Sequence, residues 1–155
     1  MSTIEFRSLT GKDVNELFDL LNSLSEEAKK FFHPHPFDKR TLKQIGLSKK
    51  DHYFVLTVNK KIIGYSMLRL FGYEIPSYGA CIRNGYERQG YGMMLTERTI
   101  QKVIEPGYKE MILTVHKDNI PAIKLYEKTG FKKILTNHKT TEIKMKKSLA
   151  PKFFF

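Results

Sequence analysis

The chain has 155 residues, 41% hydrophobic and 12% aromatic, with 27 Lys and Arg against 16 Asp and Glu for a net charge of +11. That length and apolar share suit one domain with a real core over residues 1–155, and they exclude a disordered polycation. One cysteine excludes an intrachain disulfide framework, and no apolar run nears the roughly 18 residues of a membrane-spanning helix.

Ile4–Arg7 reads as a first strand, preceded by no long apolar stretch of the signal-peptide kind, so a cytoplasmic location is expected. Val14, Leu17, Phe18 and Leu21 recur with the period of one helix face, which predicts a helix across Asp13–Leu21. A second helix is expected to begin near Ser25-Glu26-Glu27 and to break at Phe31-Phe32-His33-Pro34-His35-Pro36, because a proline disfavours helical geometry in the residue before it. Asp38–Ile45 reads as a further helix. His52–Val58 is aromatic and β-branched on both faces, as in a covered strand. Asn59-Lys60-Lys61 turns it into a partner strand, Ile62–Leu70. Beyond Pro76, Tyr78–Arg83 reads as the next strand.

From there the pattern changes. A glycine-bearing loop opens a helix whose face is expected to carry Met93, Ile100, Val103 and Ile104. Pro106-Gly107 ends it, Met111–Val115 is a short apolar strand, and Asn119-Ile120-Pro121 starts another helix. Gly130 closes that helix, with Phe131 beyond it for the apolar contact of a C-cap. Thr141–Met145 is the last strand. The order is β-α-α-β-β-β-α-β-α-β, a mixed α+β class.

Two segments carry chemistry. In Ile82-Arg83-Asn84-Gly85-Tyr86-Glu87-Arg88-Gln89-Gly90-Tyr91-Gly92-Met93 a strand runs through a loop into a helix. Unpaired first-turn amides and the helix dipole favour an anion there, with Arg83 and Arg88 adding charge. The spacing fits neither a dinucleotide fingerprint nor a P-loop. In the second segment Asn119 and Tyr126 lie seven residues apart, two helical turns, on one side of their helix. An amide can hold a polar ligand, and a phenol can protonate a leaving group.

Together these segments resemble the GNAT superfamily of acetyl-CoA-dependent N-acetyltransferases. Glu87-Arg88-Gln89-Gly90-Tyr91-Gly92 is similar to its pyrophosphate loop, [QR]-x-x-G-x-[GA], with Glu87 replacing the usual Gln or Arg. Asn119, Ala122, Tyr126, Gly130 and Phe131 match its N-x-x-A-x-x-x-Y-x-x-x-G-F element. The motif resemblance covers about Tyr78 to Ile134; before residue 50 only the element order agrees.

The resemblance implies a central, mostly antiparallel mixed sheet flanked by helices, with acetyl-CoA as cosubstrate; no metal is expected, because no carboxylate or cysteine pattern accompanies His33 and His35. It places the pyrophosphate on the amides of Arg88, Gln89, Gly90, Tyr91, Gly92 and Met93, with Glu87 turned away or paired with Arg88. The pantetheine arm pairs with Cys81, Ile82 and Arg83 and meets Asn119. An amine attacks the thioester directly, strand amides near Ile82 steady the oxyanion, and Tyr126 is the general acid.

The strand that often bears a glutamate in this family reads Tyr78-Gly79-Ala80-Cys81, so the base candidates are His116 first, then Glu74 and the His33/His35 pair. Phe31-Phe32-His33 and Pro36-Phe37 are expected to shape the acceptor pocket, and Cys81 to be a structural strand residue. The partners expected are acetyl-CoA and an amine of a small molecule, a protein N-terminus or a lysine, with no membrane. The contrasting reading is a non-catalytic basic module for nucleic acid or the ribosome. The lysines argue against it, being scattered as in Lys29-Lys30, Lys60-Lys61 and Lys132-Lys133 with no block of five or six. The Phe153–Phe155 tail packs on the domain, on a second subunit of a homodimer, or frays.

Overall fold

The structure, a computed structural model, describes residues 2–48, 50–70, 75–134 and 140–149. Glu74 and the Phe153–Phe155 tail lie outside the described residues. Strand β1 (Ile4–Ser8) is followed by a 3-10 turn (Gly11–Asp13) and helices α1 (Val14–Ser23), α2 (Glu26–Phe31) and α3 (Lys39–Ile45). Next come the strands β2 (His52–Val58), β3 (Lys61–Arg69) and β4 (Ser77–Ile82), then α4 (Tyr91–Ile104), β5 (Glu110–His116) and α5 (Ile120–Lys128). Strands β6 (Lys132–Lys133) and β7 (Glu142–Ser148) close the order. The three helices read from the sequence before β2 are all present, with the prolines between α2 and α3, so the order holds one helix more than β-α-α there, and a two-residue strand precedes β7.

The early helices form where capping side chains start them. Ser25 Oγ accepts from the Ala28 amide at the head of α2, and Asp38 Oδ1 from the Thr41 amide at the head of α3. Asn59 and Lys60 both take positive φ, at 50° and 70°, the backbone of a two-residue hairpin turn between β2 and β3. Ahead of α1, Asp13 accepts two hydrogen bonds from Arg7, at 2.8 and 2.9 Å, and one from the Thr10 amide at 2.8 Å. The paired guanidinium holds the Asp13 carboxyl below the usual carboxylate range.

Among the described residues seven strands lie in the order β1-β2-β3-β4-β5-β7-β6. Every neighbouring pair is antiparallel except β4 and β5, which are parallel. One face of the sheet carries α1 and α3 on Val55, Ile62, Tyr65 and Met67. The other carries α4 and α5 on Phe54, Leu68, Met111, Leu113 and Met145.

Helix α4 buries Ile100 and Val103 as expected, but the rest of its buried face differs. Leu95, Thr96, Thr99, Ile100 and Val103 point inward, whereas Ile104 is 41% exposed. The two threonines are satisfied inside the core: Thr96 bonds the Tyr78 hydroxyl at 2.9 Å and Thr99 bonds Ser66 at 2.8 Å. Buried hydroxyls that find partners cost little, so the helix face tolerates them.

Candidate active site

The sheet is open where the one parallel pair among the described strands meets. The β4–β5 ladder consists of Ser77 opposite Ile112 and Tyr78 opposite Leu113, and then the strands diverge. Beyond Tyr78, β4 stays paired to β3 alone. Strand alternation tells which backbone groups face the gap. The Arg83 amide donates to the Ile63 carbonyl and the Ile112 amide donates to the Pro76 carbonyl, so odd-numbered residues of β4 face β3 and even-numbered ones face β5. The amides and carbonyls of Ala80 and Ile82 therefore point into the gap, whereas those of Cys81 are turned to β3. Cys81 and Arg83 do not offer the pairing edge expected of them; Ile82 does, and Ala80 joins it. Only the alternation of the strand could have signalled Ala80.

At the far end of β4 the chain passes through Asn84–Gln89 into α4. Arg88 and Gly90 both adopt positive φ, 63° and 87°, and Gly90 occupies the N-cap position. That left-handed step, natural for glycine, aims the amides of Tyr91, Gly92 and Met93 out of the helix end. The first intrahelical acceptor is the Gly90 carbonyl, bonded by the Met94 amide at 3.1 Å. A Cβ on Gly92 would stand 3.0 Å from Leu125 of α5, so the bare backbone lets the two helices close on each other.

Of the loop side chains, Arg83 differs from expectation, and Glu87 takes the turned-away one of its two expected placements. The Arg83 guanidinium is buried and donates to the Ile62 carbonyl at 2.7 Å and the Glu16 carbonyl at 3.5 Å. It braces the β3 hairpin and adds no charge to the loop surface. Glu87 bonds the Gly85 amide at 2.8 Å, so it turns back on its own loop and does not pair with Arg88. Arg88 and Gln89 are exposed, with Gln89 Nε2 donating to the Gly85 carbonyl at 3.3 Å.

Helix α5 places the second set. Asn119 caps it, Oδ1 accepting from the Ala122 amide at 3.4 Å, which leaves the side-chain NH2 for another partner. At the other end the Phe131 amide donates to Tyr126 and the Gly130 amide to Glu127, with Gly130 at φ 101°. This is the Schellman closure expected of Gly130. It also fixes Tyr126, whose ring meets Phe131 at 5.8 Å and Tyr78 edge-on at 6.0 Å. The Tyr126 hydroxyl makes no hydrogen bond among the described residues. Its pKa is pushed up to about 12, first by burial and then by the nearby Cys81 thiol, itself raised by burial. A raised thiol is a poor nucleophile, which fits a structural Cys81.

On the α1–α3 side a cleft of about 170 Å³ opens against the β4–β5 gap. Phe31, Phe32, His33 and Pro34 form one wall and Gly79, Thr114, His116 and Glu142 the other. Pro36 and Phe37 do not line that cleft; His35, between Pro34 and Pro36, anchors the segment. Its Nδ1 donates to the Pro36 carbonyl at 2.8 Å and its Nε2 accepts from the Tyr65 hydroxyl at 2.9 Å. Both ring nitrogens are thereby used, and His35 is held away from base chemistry.

His116 stacks obliquely on Phe31 at 4.9 Å. The Asp118 amide donates to its Nδ1 at 3.1 Å, so the neutral ring carries its proton on Nε2. Glu142 stands directly across from it on β7. Sequence reasoning passed over Glu142, because only the β5–β7 register brings it to the cleft.

The family model for the Acetyltransferase (GNAT) family matches residues 16–131. An N-alpha-acetyltransferase of Saccharolobus solfataricus is 33% identical, the alignment covering 66% of this chain and 66% of that one. The [ribosomal protein bS18]-alanine N-acetyltransferase of Escherichia coli is 29% identical over 64% of this chain and 66% of its own length. The alignments thus span about two thirds of those relatives. Among solved structures, the PaiA N-acetyltransferase of Thermoplasma acidophilum, crystallised with coenzyme A, superposes with a TM-score of 0.78 at 19% identity, over 94% of this chain and 99% of that one.

Proposed function

We propose, from the premise that this chain belongs to the GNAT family of acetyltransferases, that it moves acetyl from acetyl-CoA directly onto a primary amine. The reaction class is acetyl-CoA-dependent N-acetyl transfer. The observation that carries the reading is the divergence of β4 from β5 beside the open amides of α4. One is an unpaired strand edge and the other an anion seat, and acetyl-CoA has a part for each.

The residues fit the cosubstrate as follows. The amides of Tyr91, Gly92 and Met93, with the left-handed Gly90 before them, would receive the pyrophosphate, and exposed Arg88 and Gln89 flank it. Ala80 and Ile82 offer main-chain donors and acceptors to the amide groups of the pantetheine arm, as an added strand would take them. The free NH2 of Asn119 serves the same arm. The thioester supplies an activated acetyl group that an amine can attack without a covalent enzyme intermediate.

At the reacting atoms, the Ile82 amide points into the gap and is the donor for the developing oxyanion. Tyr126 meets the leaving sulfur. A phenol near 12 would give its proton uphill to a thiolate at its solution value of about 8.5. Transfer concerted with breaking of the carbon–sulfur bond avoids a free thiolate, so Tyr126 would give its proton as the sulfur leaves. The ammonium must lose a proton before attack. Glu142 lines the cleft as a carboxylate, and His116 can accept once Nδ1 is freed from the Asp118 amide.

A thiol-release assay tests the reading. With acetyl-CoA and a panel of peptide and small-molecule amines, free thiol is expected to appear only when both cosubstrates are present. A protein that binds acetyl-CoA yet releases no thiol with any amine would contradict the catalytic assignment.

A further inference from the structure

The acceptor side of the sheet is half covered. Among the described residues, α1–α3 pack on β2, β3 and Cys81, and no residue of β5, β6 or β7 belongs to that core. The same face of β5 and β7 therefore lies open beside the cleft. Thr114, in the middle of β5, is exposed, and its partner across the ladder is Lys144. Ile112 pairs with Lys146, and Lys146 in turn with Lys132 of β6. Directly opposite residues of an antiparallel pair share a face, so these lysines stand together on the open side.

The cleft wall adds Lys30 and Arg69, the latter donating to the Pro34 carbonyl. Neither Lys30, Lys132 nor Lys144 has an acidic partner among the described residues. Among the described residues the acids on this side are Glu142 at the cleft, Asp118 beside His116, Glu110 paired with Lys146 at 3.4 Å, and Asp51, which accepts from Tyr53 and the Leu70 amide. The field over the open face is cationic, with one carboxylate at the point where an amine enters.

We propose that the acceptor is a polypeptide N-terminus with acidic residues close behind its first position. This rests on the acetyltransferase reading above. The α-ammonium meets Glu142 at the cleft, where Phe31, Phe32 and Pro34 offer apolar contact to the first side chain. The following residues run outward over β5 and β7. Glu142 to Lys144 is two residues of strand, about 7 Å, which is two residues of an extended peptide. Carboxylates at the second to fourth positions therefore come within reach of Lys144, Lys132 and Lys30. Nucleic acid would satisfy the charge of this face but brings no aliphatic amine to the cleft, so the observations favour the peptide.

The test compares peptides of equal length that begin with the same small residue and continue with acidic, neutral or basic side chains. With the full-length protein, kcat/KM from thiol release should favour the acidic over the neutral peptide about tenfold, the size a few exposed ion pairs supply together. The preference should shrink as salt rises from 0.05 to about 0.5 M, where charges on this face are screened. In Lys144→Glu the acidic-to-neutral ratio should fall toward one. Equal or better turnover of the neutral or basic peptide overturns the proposal and leaves acetyl transfer standing. Turnover of small amines but of no peptide overturns it as well, with the same reaction class retained. Absence of thiol release from every amine removes both. A single-stranded RNA that displaces the acidic peptide at lower concentration than a second acidic peptide does would assign the face to nucleic acid instead.

Discussion

Replacing Tyr126 by Phe is expected to lower kcat about a hundredfold while acetyl-CoA binding is kept, the usual cost of losing a positioned proton donor. The ring contacts to Tyr78 and Phe131 survive the change, because they involve the aromatic body and not the hydroxyl. No hydrogen bond among the described residues is lost either, so stability should stay within about 0.5 kcal/mol of the parent. What is removed is the one proton donor of α5 in the gap beside Cys81. Steady-state kinetics with saturating acetyl-CoA check it. Full turnover would remove the general-acid role from Tyr126 and pass leaving-group protonation to solvent.

Gly90→Val is expected to raise the acetyl-CoA KM about tenfold or more. Gly90 stands at φ 87°, where a side-chain-bearing residue costs about 1–2 kcal/mol and a β-branched one more. The chain relieves that strain by leaving the left-handed step, and the amides of Tyr91, Gly92 and Met93 then no longer converge. A penalty of about 1.4 kcal/mol is a factor of ten in affinity. Nothing lies within 4 Å of a Cβ at this position, so the effect is conformational and not a clash. Gly90→Ala should fall between the two. An unchanged KM in the valine variant would separate cofactor binding from this loop.

Much of the site was readable because its residues sit in local patterns. The motif running from Asn119 to Phe131 announces a helix with a capped start and a glycine-closed end, and the structure reproduces the cap and the Schellman closure. His52–Val58 is a strand to the residue, since its β-branched and aromatic content left no competing pattern. Roles within the loop came from resemblance and not from spacing, which alone pointed only to an anion.

What escaped the sequence was set by distant partners. Arg83 looked like loop charge, but the hairpin carbonyl of Ile62 and the carbonyl of Glu16 claim its guanidinium. On α4, Ile100 and Val103 are legible as buried, but Thr96 and Thr99 are polar and join that face only because Tyr78 and Ser66 satisfy them. Ala80 and Glu142 carry no motif at all. Strand parity and the β5–β7 register alone bring them to the gap and the cleft.

The most direct test of the central claim is the melting temperature of the protein titrated with acetyl-CoA. A ligand bound only by the folded state at a hundred times its Kd adds about 2.7 kcal/mol, which for a chain of this size is about 5–10 °C. The account predicts a rise of that order, saturating with dose and reduced in Gly90→Val. A melting temperature unmoved by millimolar acetyl-CoA would contradict it.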